Sequence, residues 1–115
     1  MECHVVESTE TLVRVALVGD LNMEGVGKIE LQFLASTVAT GKHAIVDISA
    51  VPFMSSLGMG LLLNCHNGLK RRGRKMVVLK PQPLIEMALN AARLTQLLQI
   101  QHDDQAAIQL LSEQV

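Results

Sequence analysis

Residues 44–60 read AIVDISAVPFMSSLGMG. Ala44 to Ile48 is an aliphatic run rich in β-branched residues, the composition of a strand buried on both faces. Pro52 breaks it, and the serine pair Ser55-Ser56 then opens a stretch whose apolar residues recur at helical spacing. Serine suits a helix N-cap because its oxygen accepts a hydrogen bond from an otherwise orphaned backbone N–H. A strand, a proline loop and a serine-opened helix therefore set a hydroxyl at the positive end of a helix dipole. A phosphate is electrostatically favoured there.

The pattern continues in both directions. Upstream, Val5-Val6 and Thr11 to Val18 read as two strands paired in a hairpin, and Gly19-Asp20 ends the second. Val26, Ile29, Phe33, Leu34 and Val38 predict a helix from about Met23 to Thr40, with Gly41 as its C-cap. Downstream, the helix opened by Ser55 or Ser56 should last until Arg72 and end at Gly73. Lys75 to Leu79 reads as another buried strand, and Leu84 to about Ala92 as a short helix with Pro83 in its first turn. Leu97 to Gln101 predicts a last strand, and Asp103 caps a helix to about Leu111. Strand–helix alternation after a hairpin predicts an α/β fold, one mixed sheet with helices packed over it.

Composition narrows the function classes. A chain of 115 residues fits a single domain, 1–115, with a core that needs no staples. A net charge of -1 gives no global attraction for nucleic acid or an anionic membrane. With no Trp or Tyr, and only Phe33 and Phe53, base stacking has little to work with. No apolar run is long enough to cross a bilayer, and the N-terminus lacks the pattern of a signal peptide. Cys3 and Cys65 lack metal or redox spacing and read as reduced thiols, so a cytoplasmic location is expected. His4, His43, His66 and His102 are scattered, and neither a metal site nor a cofactor is expected.

At about 100° per residue, Gly58, Leu61, Leu62, Cys65 and Leu69 share the face of the second long helix that should meet the sheet. Ser56, Met59, Gly60, Leu63 and Asn67 fall on the opposite side. Met59 and Leu63 there either form an apolar strip beside a modifiable hydroxyl, as a switchable docking surface requires, or pack under a neighbouring loop or stand singly exposed. Two adjacent serines allow a division of labour in which Ser55 caps and Ser56 faces outward. Cys65-His66 is not a nucleophile–base pair, because adjacent helix positions diverge by about 100°, and no catalytic residue is expected. Lys70, Arg71, Arg72, Arg74 and Lys75 read as charges complementing a helix C-terminus. A receiver-type phosphoacceptor role for Asp47 fails for want of clustered carboxylates to hold Mg²⁺. Asp47 instead reads as a strand-end residue bonding the following loop.

Val46-Asp47-Ile48-Ser49, Val51, Phe53 and Met54-Ser55-Ser56-Leu57-Gly58-Met59-Gly60 resemble the core signature of STAS domains, and among them of bacterial anti-sigma factor antagonists. Gly19-Asp20-Leu21, the strand before Lys80 and the terminal Asp103 helix extend the resemblance over nearly the whole chain. It implies a mixed sheet of four to five strands covered by about four helices. It also implies a non-enzymatic binding protein that engages an anti-sigma factor serine kinase when unphosphorylated, is switched off by phosphorylation, and is reset by a PP2C-type phosphatase. Carried over by position, the phosphosite is Ser56, with Ser55 the second choice. The partner-binding residues implied are Asp20, Ser55, Ser56, Met59, Gly60, Leu63 and Asn67. Ser55 replaces an aspartate common in the family, and Leu57 stands where a small residue is usual, which narrows access to the site. The alternative is an accessory or scaffold subunit of a lipid or anion transport system that binds its partner without a phosphoswitch.

Overall fold

In the computed structural model, which describes residues 1–112, the run at 44–48 lies within β3 (His43–Ala50). This strand is the centre of a five-stranded sheet with spatial order β1-β2-β3-β4-β5. Its companions are β1 (Glu2–Ser8), β2 (Leu12–Val18), β4 (Met76–Leu79) and β5 (Gln99–Gln101). β1 and β2 pair antiparallel, as a hairpin should, and every other neighbouring pair is parallel.

The period-two alternation of a strand divides the sheet residues between two cores. Val13, Val15 and Leu17 of β2, Ala44, Val46 and Ile48 of β3, and Met76 and Val78 of β4 belong to the larger one. Three helices cover that face: α1 (Met23–Ser36), α2 (Ser56–Arg71) and α3 (Pro83–Ala91). Ile45, Val77 and Leu79 belong to a smaller cluster with Ala107 and Leu111 of α4 (Asp104–Ser112). β3 and β4 are thus sandwiched, which is why their sequences run apolar without alternating. Arg14 of β2 and Lys80 after β4 both pair with Asp104 at the start of α4, and Asp103 Oδ2 accepts the Ala106 N–H at 3.1 Å.

The elements depart from the sequence reading at their ends. α1 stops at Ser36 rather than Thr40 because Thr37 is fully buried and its hydroxyl donates to the Phe33 carbonyl at 2.8 Å. Such side-chain bonding competes with the helix ladder. A 3₁₀ turn, Val38–Thr40, follows, and Gly41 caps that turn in the left-handed region at φ 68°. β4 begins at Met76, where the Lys75 N–H turns to His43 Nδ1 at 3.0 Å. β5 is shorter than expected because a 3₁₀ turn at Leu94–Gln96 continues into the Leu98 N–H bond to Leu94 O.

Candidate functional site

The loop after β3 is stitched to the turn after β2. Gly19 N–H donates to Ala50 O at 3.0 Å, Leu21 N–H to Phe53 O at 2.8 Å, and Ser55 N–H to Leu21 O at 3.0 Å. Leu21 and Met54 form a parallel bridge, and the Leu21 side chain is fully buried. Asn22 caps α1 by accepting the Gly25 N–H at 2.8 Å. The start of α1 and the start of α2 therefore share one scaffold at the carboxyl end of the parallel strands. Gly58 makes this approach possible: a Cβ there would lie 2.5 Å from the Leu21 carbonyl oxygen and 2.8 Å from its Cγ.

The two serines differ in what they do. Ser55 is the N-cap of α2; its hydroxyl accepts from Gly58 N–H at 3.2 Å and donates to Leu21 O at 3.2 Å. Ser56, the first helical residue, is exposed, and no hydrogen bond engages its hydroxyl among the described residues. The first turn of α2 carries no acidic side chain, whereas the last carries Lys70 and Arg71. The helix dipole is thus complemented at one end and uncompensated at the other.

Gly58, Leu61, Leu62, Cys65 and Leu69 are the buried residues of α2, the face expected to meet the sheet. Asp20 and Asn67 are exposed and Gly60 is half-buried. The placement of Met59 and Leu63 on the far side is corrected: both are half-buried and pack against the larger core. α2 packs on the sheet and along α1, so its solvent-facing arc is narrower than an isolated helix suggests. The apolar side chains that do face solvent beside Ser56 are Phe53 and Leu57, each 51% exposed, with Met23 at the start of α1 more open still. Sequence reasoning missed this set, because a loop phenylalanine and a helix-flank leucine carry no periodicity.

The remaining candidate chemistry is quiet. Asp47 Oδ1 accepts the Ser49 N–H at 2.9 Å, a bond that stays within β3 instead of reaching the loop expected for it. Burial pushes the Cys65 thiol up to about 11, only partly offset by the Thr37 hydroxyl beside it, so it is protonated at neutral pH. Burial, aided by Lys70, holds the His66 ring below the usual histidine range. Among the described residues no group of three or more His, Cys, Asp or Glu side chains converges as metal ligands would, and no helix is long and apolar enough to cross a membrane.

A family model of the STAS domain matches residues 4–107. The chain belongs to the STAS family. Solved STAS-like structures superpose over nearly its full length at low identity. TM1081 of Thermotoga maritima aligns with TM-score 0.83 and 16% identity over 96% of this chain and 93% of that one. The Bacillus cell fate determinant SpoIIAA, in its phosphorylated form, aligns with TM-score 0.70 and 20% identity over 95% of this chain and 99% of that one. The murine anion transporter Slc26a9 aligns with TM-score 0.80 and 14% identity over 93% of this chain and 18% of the transporter. Five strands and four helices in the STAS arrangement are therefore shared across proteins of very different size.

Proposed function

We propose that this STAS protein is an anti-sigma factor antagonist of the bacterial cytoplasm. It acts by binding rather than catalysis, engages a kinase-type anti-sigma factor when unmodified, and is released when Ser56 is phosphorylated. The observation that carries this reading is the unequal use of the serine pair. Ser55 is committed to the helix cap and to Leu21, whereas the Ser56 hydroxyl is exposed at the start of a 16-residue helix. The phosphosite is thus Ser56, and Ser55 is the poorer acceptor because its modification would dismantle the cap. SpoIIAA, a protein of like fold, has been solved both unphosphorylated and phosphorylated, which supports the same logic here.

The contact surface we assign runs from Asp20 across Ser55, Ser56, Gly60 and Asn67, with Phe53 and Leu57 as its exposed apolar members. Met59 and Leu63 contribute as half-buried edges beneath it. A phosphate on Ser56 adds about -1.5 to -2 charges. The helix N-terminus tolerates that charge, but a partner seated over Phe53 and Leu57 must desolvate it. Without a cationic partner this costs several kcal/mol, enough to abolish a micromolar contact. A PP2C-type phosphatase would restore binding.

The test incubates the protein with its candidate anti-sigma kinase and ATP and maps phosphate by mass spectrometry. Phosphate on Ser56, together with lost binding in Ser56→Asp, supports the switch. Absence of phosphate from both serines, or undiminished binding by Ser56→Asp, sinks it. The likeness to a segment of Slc26a9 supports a second reading, an accessory or scaffold subunit of a lipid or anion transport system. Binding of a transporter subunit that is indifferent to Ser56→Asp would favour it.

A further inference from the structure

At the opposite end of α2 from Ser56 lies a cleft of about 310 Å³ between the end of that helix, the lead-in to β4 and the start of β5. We propose that this cleft binds a small phosphate-headed ligand with a short apolar portion, a site separate from the serine face. The argument begins with charge. No carboxylate occurs between Asp47 and Glu86, whereas Lys70, Arg71, Arg72, Arg74, Lys75 and Lys80 all fall in that interval. Three guanidinium groups donate to backbone carbonyls: Arg71 to Asn67, Arg72 to Val38 and Ala39, and Arg74, which also borders the cleft, to Gly41 through its Nε. Lys80 pairs with Asp104 on the other face of the sheet. Lys70 and Lys75 line the cleft, and among the described residues neither ammonium has a carboxylate or hydrogen-bond partner.

His66 supplies a third group. Its Nδ1 is buried with no hydrogen-bond partner among the described residues, yet the residue is partly exposed and lines the cleft. A buried N–H without an acceptor is the costlier arrangement, so the ring carries its proton on Nε2 and offers that N–H outward. Two ammonium groups and one neutral N–H match a dianion with three acceptor oxygens. Leu97, 53% exposed, supplies the apolar wall, with the buried Met76 at the cleft's floor. This volume is at the lower end of small-molecule pockets, which suits a compact ligand.

The phosphate could come from a soluble ester or from a lipid headgroup, and one experiment separates them. The full chain, labelled for NMR, is titrated with inorganic phosphate and with butyl phosphate. In parallel it is sedimented with phosphatidylcholine vesicles containing or lacking phosphatidic acid. Saturable shifts centred on His66, Lys70, Lys75 and Leu97, tighter for butyl phosphate, are expected. Lys70→Gln and Lys75→Gln should each weaken binding about tenfold, and the charge-matched control Lys28→Gln should not. Vesicle binding in addition, sensitive to the same two lysines, assigns the headgroup as the source; its absence assigns a soluble ester. Non-saturating shifts, equal loss in Lys28→Gln, or vesicle binding without binding of the soluble anions overturns the site.

Discussion

The carbonyl oxygen of Leu21 accepts two hydrogen bonds from Ser55, one from its N–H at 3.0 Å and one from its hydroxyl at 3.2 Å. The same hydroxyl accepts from Gly58, so one side chain joins the turn after β2 to the start of α2. Ser55→Ala removes the cap and the second bond to Leu21. It should destabilise the fold by about 0.5–2 kcal/mol, measured by urea unfolding. Ser56→Ala, with no bonded hydroxyl to lose, should stay within about 0.5 kcal/mol of the parent. Equal losses in the two variants would contradict the division of roles between the serines.

Gly58 and Gly60 sit two residues apart on α2 and should respond with opposite signs to the same substitution. A Cβ at Gly58 would meet the Leu21 carbonyl oxygen at 2.5 Å, and backbone cannot step aside cheaply. Gly58→Ala should therefore lose about 1–3 kcal/mol, as overpacking does. A Cβ at Gly60 meets nothing within 4 Å. Gly60→Ala should gain about 0.5–1 kcal/mol from helix propensity and a less flexible unfolded chain. Thermal unfolding of both variants reads the contrast directly.

These two glycines also mark what was legible in the sequence. The face of Gly58, Leu61, Leu62, Cys65 and Leu69 was readable because burial against a sheet imposes a period, and the unbroken apolar run of β3 signalled cover on both sides. The burial of Met59 and Leu63 was not, since it depends on how α2 seats on the core and along α1, a long-range fact with no local trace. The early end of α1 at Ser36 was hidden for a similar reason. Thr37 breaks the helix from within the core, where Cys65, 28 residues later in the chain, donates to its hydroxyl. Phe53 and Leu57 are exposed beside Ser56 through loop geometry, which periodicity does not encode.

Cys65 should be inert in the native protein. Its thiol is fully buried and pushed up to about 11, and burial raises Cys3 as well. Only the thiolate is nucleophilic, so iodoacetamide near neutral pH should leave the native Cys65 unmodified and label both cysteines in denaturant. Intact-mass spectrometry checks this. Rapid native labelling of Cys65 would show that the helix layer opens readily.

Asp104 couples α4 to the sheet in a pH-dependent way. Desolvation works against its ionised form, but Arg14 and Lys80 outweigh it and hold the carboxyl below its ordinary value. A folded-state pKa below the unfolded one contributes stability above the unfolded value and loses it as pH falls through the folded value. Asp104→Asn should therefore be less stable than the parent at neutral pH, and the gap should narrow on acidification below the usual carboxylate range. Chemical denaturation at several pH values reads it. A gap that widens in acid would reverse the sign.

Charge at Ser56 should be felt by the helix and not only by a partner. The first turn of α2 has no acidic residue, so its N-terminal N–H groups face an uncompensated positive end. Ser56→Glu should stabilise the isolated protein by about 0.3–1 kcal/mol at low ionic strength, and Ser56→Lys should destabilise it by a similar amount. Because the site is exposed, raising salt should bring the two variants together. Phosphate, with greater charge, should act as Glu does and more strongly. The modified protein would then be folded at least as well as the unmodified one, so loss of binding would report a blocked surface rather than a melted helix. A phosphorylated form that melts earlier than its parent would remove that distinction and with it the surface-blocking account of the switch.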